Sequence, residues 1–255
     1  MLGLQQQKSL TKVLSVGLFL VSVTVVTGGL TDPVNVPKLL LLGVLSMATL
    51  GMLGSFNPRL FIDGDWQTKS TLCTFLVFSG VSIAVSNSPL TQNFYGAYGR
   101  NNGFLAYLYL SILFFASTLL NSRSNQLMIL KSLVYVGVVN LAYCLWVIAF
   151  GDFIPWNNPY GNILGTFGNP NFIGSFLGIF ISILATNLLK PGLRAAYRIS
   201  GVIVIVIALI EVKASHAVQG VVVSLGGLSI LGFYLVRDRF KSKVVTIFYS
   251  ALISV

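Results

Sequence analysis

The chain has 255 residues, 55% of them hydrophobic and only 9% charged, too few polar side chains to coat a soluble core. A water-soluble globular domain is therefore excluded, and a polytopic membrane protein is expected. The net charge of +10 would suggest nucleic acid in a soluble domain. Here the basic residues fall in short clusters between apolar runs, where they set topology, so the expected partner is the lipid bilayer and not nucleic acid.

In chain order the apolar runs fall at about 13–30, 38–54, 71–87, 103–120, 130–150, 172–189, 199–214 and 217–235. They predict an all-α transmembrane bundle of eight spans in a single domain over residues 1–255. A ninth run, Val244 to Val255, has 12 residues where a helical span needs about 20, so the sequence reads as the N-terminal portion of a longer chain. The first run lacks a small-residue cleavage site and is followed at once by another span, which argues against a removed signal peptide. Cys73 and Cys144 both lie inside apolar runs, so neither a disulfide framework nor a metal site is expected, and no cofactor is called for.

Orientation follows from lysine and arginine. With a cytoplasmic N-terminus, thirteen of the sixteen lie inside, from Lys8 and Lys12 through Arg123 and Lys131 to Arg237, Arg239, Lys241 and Lys243. Lys38, Arg100 and Lys213 lie outside. This asymmetry fits the positive-inside rule, and removing one span would scramble it. The inner connections are short and basic, as in Lys190-Pro-Gly-Leu-Arg-Ala-Ala-Tyr-Arg198. The outer loops at 86–103 and 151–171 are longer and rich in Asn, Gly and aromatic residues, so any chemistry is expected on the outer face.

In this topology every even-numbered span begins outside, and the notable polar residues sit at those four helix starts. Lys38 follows Pro37 at the second, Arg100-Asn101-Asn102 precedes the fourth, Asn169-Pro170-Asn171 opens the sixth, and Lys213-Ala-Ser215-His216-Ala-Val-Gln219 leads into the eighth. Asn169 is a helix cap with Pro170 at the first helical position, where its missing N–H is no loss. Three cations, one histidine and four positive dipole ends favour a bound anion such as a phosphate group. Taken singly, Lys38 and Lys213 also read as snorkelling anchors and His216 as a satisfied interface residue. Arg100 stands out because its turn presents a rigid fork of donors.

The segment Gly165-Thr-Phe-Gly-Asn-Pro-Asn-Phe-Ile-Gly-Ser-Phe-Leu resembles the GTFGNPN motif of the O-antigen ligase and polymerase family, membrane glycosyltransferases of bacterial envelopes. Phe94-Tyr-Gly-Ala-Tyr-Gly-Arg-Asn-Asn-Gly-Phe-Leu-Ala-Tyr is similar to that family's G-x-x-x-R-x-x-G stretch, and Ala214-Ser-His-Ala-Val-Gln-Gly220 occupies the place of its T-x-S-R turn, with His216 where arginine is common. The resemblance implies transfer of a glycan from an undecaprenyl-diphosphate carrier to an acceptor hydroxyl, at the outer face of the bacterial cytoplasmic membrane, without metal or nucleotide sugar. On this reading Arg100 and His216 are catalytic, while Lys38, Asn101, Asn169, Asn171, Lys213, Ser215 and Gln219 bind substrate. The family's late outer loop, which carries a further histidine, would lie beyond Val255.

Such a site must stabilise charge growing on the departing diphosphate and orient the acceptor hydroxyl. Asp32, Asp152 and Glu211 have no evident partner in the sequence, and no spacing supports a paired-carboxylate glycosidase. Two other classes share the composition. A secondary transporter would show ionisable groups near mid-span or interrupted helices in repeated halves. A scaffold subunit would pack through small residues such as Gly174 and Gly178 or Gly226 and Gly227.

Overall fold

The computed structural model describes residues 2–28, 32–61, 65–97, 99–155, 158 and 161–240. Among them every regular element is a helix: α1 (Leu4–Val23), α2 (Asn35–Phe56), α3 (Trp66–Val85), the short α4 (Leu90–Tyr95), α5 (Phe104–Thr118), α6 (Arg123–Phe150), α7 (Pro170–Leu188), α8 (Ala195–Ala214) and α9 (Val218–Phe240). Each of the eight apolar runs has become one helix. Six of these (α2, α3, α6, α7, α8 and α9) are long and apolar enough to cross a membrane, while α5 is apolar but has 15 residues. Large apolar side chains such as Leu40, Val44, Phe78, Ile210 and Val222 are exposed along them, as suits a hydrocarbon surround. The run Val244 to Val255 lies outside the described residues, as do Trp156 and Tyr160.

The helices form two compact units, residues 1–136 and 137–255. In the first, α2 packs against α1 and α5, and α3 and α4 lean on α5. Here α1 departs from expectation: it begins at Leu4, well before the apolar run at 13, and ends at Val23. The cause is a polar stripe at helical spacing. Buried Gln7, Thr11 and Ser15 recur every four residues, and Gln7 and Ser15 meet the start of α6. Asn125 Nδ2 donates to Gln7 Oε1 at 3.4 Å, and the Ser132 hydroxyl donates to the Ser15 carbonyl at 2.6 Å. Hydropathy cannot see a helix held this way. At this end Leu2, Leu10, Leu53, Leu60 and Leu120 close the core.

The helix α3 starts on Asp65, whose carboxylate accepts from the Gln67 and Thr68 amides at 3.1 and 3.2 Å. The Thr68 hydroxyl bond, then the two amides, hold this carboxyl below its ordinary pKa. No residue of α3 is buried. The contrast with the second unit is sharp, because there α7 packs against both α9 and α8 through glycine. A Cβ at Gly220 would lie 2.8 Å from the Gly174 backbone, one at Gly178 2.9 Å from the Ser224 nitrogen, and one at Gly227 against Ser182. Those pairs advance together along both helices, so α7 and α9 run parallel with their N-termini side by side. Small residues let the two backbones touch.

Candidate functional site

Each unit gathers its sequence-predicted polar residues at one helix end. In the second unit the organising piece is the Gly165–Phe167 3-10 turn that leads into α7. It is tied down from α6: the Asn140 side-chain oxygen accepts from the Thr166 amide at 2.8 Å and the Thr166 hydroxyl at 3.0 Å, and one turn later Cys144 receives the Gly165 N–H. Asn140 and Cys144 are wholly buried. Gly165 and Gly168 both have positive φ, 57° and 64°, and a Cβ at Gly165 would meet Ile173 at 2.6 Å and Asn140 at 2.8 Å. Asn169 then caps α7 as expected, accepting from the Asn171 amide at 2.9 Å, with Pro170 at the first position. The Asn171 side chain is exposed.

Beside this cap stands the turn between α8 and α9, with the Ser215 hydroxyl and Ala217 about 3 Å from where a Cβ on Gly174 would be. Its layout differs from the expected one. Lys213 does not open the following helix but lies in the last turn of α8, which runs to Ala214, and α9 starts at Val218. Ser215 is fully buried, its hydroxyl donating to the Val212 carbonyl at 2.7 Å and accepting from the Ala217 amide at 3.3 Å. It shapes the turn and is not presented to a ligand. His216 takes the left-handed conformation, φ 52°, which projects an exposed imidazole. Lys213 and His216 line a groove of about 330 Å³ along α8 and α9, and Gln219 is exposed on the first turn of α9.

In the first unit the corresponding cluster surrounds the 96–103 loop. Gly96 and Gly103 cross so closely that a Cβ on either would lie 2.3 Å from a backbone nitrogen of the other strand of the loop, so the chain folds back on itself. Arg100 and Asn101 both donate their amides to the Ala97 carbonyl, and Asn101 is left-handed at φ 48°. The loop is anchored by Asn35, which donates to the Gly99 carbonyl at 2.7 Å and to Asp32 Oδ2 at 3.1 Å. Asp32, itself buried, accepts from the Val34 and Asn35 amides and so fixes the turn that enters α2. Lys38 has turned back across α1, donating to the Ser22 carbonyl at 2.5 Å, where it neutralises that helix's negative end. The Arg100 guanidinium is exposed and makes no hydrogen bond or ion pair among the described residues.

Asp32 thus has a structural duty, and Asp152 accepts from the Tyr143 hydroxyl at 2.6 Å. Glu211 does not: it is 0% exposed and both its oxygens lack a partner among the described residues. Sequence reasoning missed Asn35, Asn140 and Cys144. An asparagine inside an otherwise apolar run was the available signal for Asn140, because an amide there needs a partner. No group of three metal-ligating side chains occurs among the described residues. Comparison with protein-family models, with curated proteins and with solved structures gives no match.

Proposed function

We propose that the chain belongs to a bacterial membrane glycosyltransferase of the O-antigen ligase type, which moves a glycan from an undecaprenyl-diphosphate carrier to an acceptor hydroxyl. The proposal includes eight spans, a cytoplasmic N-terminus, and the Arg100 loop and the Asn169 cap on the outer face of the cytoplasmic membrane. The observation that carries it is the exposed guanidinium of Arg100, without a partner among the described residues and held on a loop that Asn35 pins beside the start of α2. An arginine so placed offers a planar pair of donors to a diphosphate as its charge grows. In the other unit His216, exposed on a left-handed turn, is the sequence's one imidazole and the base that this reading assigns to the acceptor proton. Asn169, Asn171 and Gln219 surround the N-termini of α7 and α9, whose dipoles favour an anion.

The test is a transfer assay in membranes holding the native protein, supplied with undecaprenyl-diphosphate-linked oligosaccharide and no nucleotide sugar. Glycosylated acceptor and released undecaprenyl diphosphate are expected in equal amounts. Neither product, with the protein correctly inserted, would rule the reading out. Orientation has its own readout in a background where Cys73 is replaced by serine: cysteines placed at Thr91 and Asn158 should label from outside intact cells, and one at Ser124 should not.

A further inference from the structure

We propose that the open groove between α3, α4 and α5 binds the uncharged saccharide headgroup of a membrane lipid, with the lipid's apolar chain lying along α3. The groove holds about 540 Å³. Its chemistry is graded: the rings of Phe78, Phe104 and Tyr107 form part of its wall, and the Ser82, Gln92 and Asn102 side chains line it too. Those three polar groups are exposed and have no hydrogen-bond partner among the described residues.

That lack of partners is costly where it occurs. Of the three, Ser82 lies on α3, a helix apolar enough to cross a membrane and without a buried residue, so its hydroxyl gains most from a partner; Gln92 and Asn102 lie outside that helix. A partner for all three must offer both donors and acceptors. Among the described residues no charged side chain lines the groove, so they lack the means to fix a phosphate, ammonium or carboxylate headgroup. Amides and a hydroxyl pair naturally with sugar hydroxyls, each of which donates and accepts. The aromatic rings supply flat apolar faces for the C–H side of a pyranose. Gly96 and Gly103, which cross in the 96–103 loop, line the groove too. Drawn from the groove alone, the inference adds a lipid-glycan seat to the transferase reading without depending on it.

The experiment is cysteine protection in nanodiscs, using the chain with Cys73→Ser and a single Ser82→Cys. A membrane-permeant maleimide is the label, and three lipids with identical acyl chains are the probes: glucosyl-diacylglycerol, diacylglycerol and phosphatidylglycerol. Glucosyl-diacylglycerol should slow labelling about tenfold, equivalent to 1.4 kcal/mol of occupancy, and the other two should not. A control cysteine at Val77, which does not line the groove, should label equally in all three. Gln92→Ala with Asn102→Ala should abolish the protection. Equal protection by phosphatidylglycerol, no protection by any probe, or an introduced thiol already blocked by a co-purifying helix would each overturn the proposal. If Ser82→Cys does not fold, Ile83→Cys reads the same groove. Because glucosyl-diacylglycerol has no diphosphate to lose, failure here leaves glycan transfer untouched, and failure of transfer leaves this result standing.

Discussion

The two helix-start clusters use glycine for opposite ends. Around Asn169, in residues 137–255, glycine removes side chains so that backbones meet: Gly174 against Gly220, Gly178 against Ser224, Gly165 against Asn140. Around Arg100, in residues 1–136, Gly96 and Gly103 let a loop cross itself and leave its side chains outside. The glycine turn before α7 is dense, with its Asn140, Thr166 and Asn169 side chains paired, whereas the 96–103 loop leaves the Arg100 guanidinium and the Asn101 and Asn102 side-chain amides without a hydrogen-bond partner among the described residues. The segment most conspicuous in the sequence is therefore a piece of packing, whereas the more ordinary Tyr-Gly-Arg-Asn-Asn-Gly turn presents the chemical groups.

That difference can be broken first at its tightest point. Gly220→Leu puts a branched side chain where a Cβ already lies 2.8 Å from the α7 backbone, and backbone cannot yield as a flexible side chain can. We expect a loss beyond the usual ~1–3 kcal/mol of overpacking, seen as failure to recover folded protein by size-exclusion chromatography. Replacing Asn140 by Ala strips the acceptor from both donors of Thr166. It should cost about 2–3 kcal/mol, read as a lower midpoint in thermal unfolding followed by the near-ultraviolet signal. The same substitution at Asn102, exposed on the other cluster, should leave the midpoint unchanged.

Glu211 should move stability the other way. Its two oxygens are buried without hydrogen-bond partners among the described residues, so Glu211→Leu is expected to stabilise by about 1–3 kcal/mol, and a fall in midpoint would mean that the carboxyl has a partner of its own. The smallest effect belongs to the cap. Asn169→Ala removes one bond to the Asn171 amide and should cost about 1 kcal/mol, detectable as faster amide exchange in the first turn of α7.

The all-helical class and the order of the apolar helices were legible because apolar runs of spanning length leave little choice of secondary structure, whereas the short α4 lies in what read as an outer loop, and six helices, not eight, are long and apolar enough to cross a membrane. The Asn169–Pro170 start was legible too, since capping chemistry is local. What escaped were features whose cause is distant in sequence. The extension of α1 back to Leu4 depends on Gln7 and Ser15 meeting residues more than a hundred positions away. The seating of the glycine turn depends on Asn140, 26 residues earlier. Lys213 ends α8 and does not open the helix after it, for a related reason. The turn falls at Ser215 and His216, two residues that are not strong breakers, and is set by a buried serine bonded to Val212. Among the expected site residues, Lys38 and Ser215 have bonds that close helix ends, while Arg100, Lys213, His216, Asn171 and Gln219 point outward.

Arg100 is where the account is most exposed. The decisive measurement is the single-turnover rate of glycan transfer by Arg100→Ala, in membranes where its insertion and amount match the parent. A guanidinium that stabilises the departing diphosphate predicts a fall of roughly a hundredfold or more, with Arg100→Lys recovering only part of it. A transfer rate and donor binding both within about twofold of the parent, under ~0.5 kcal/mol, would contradict it.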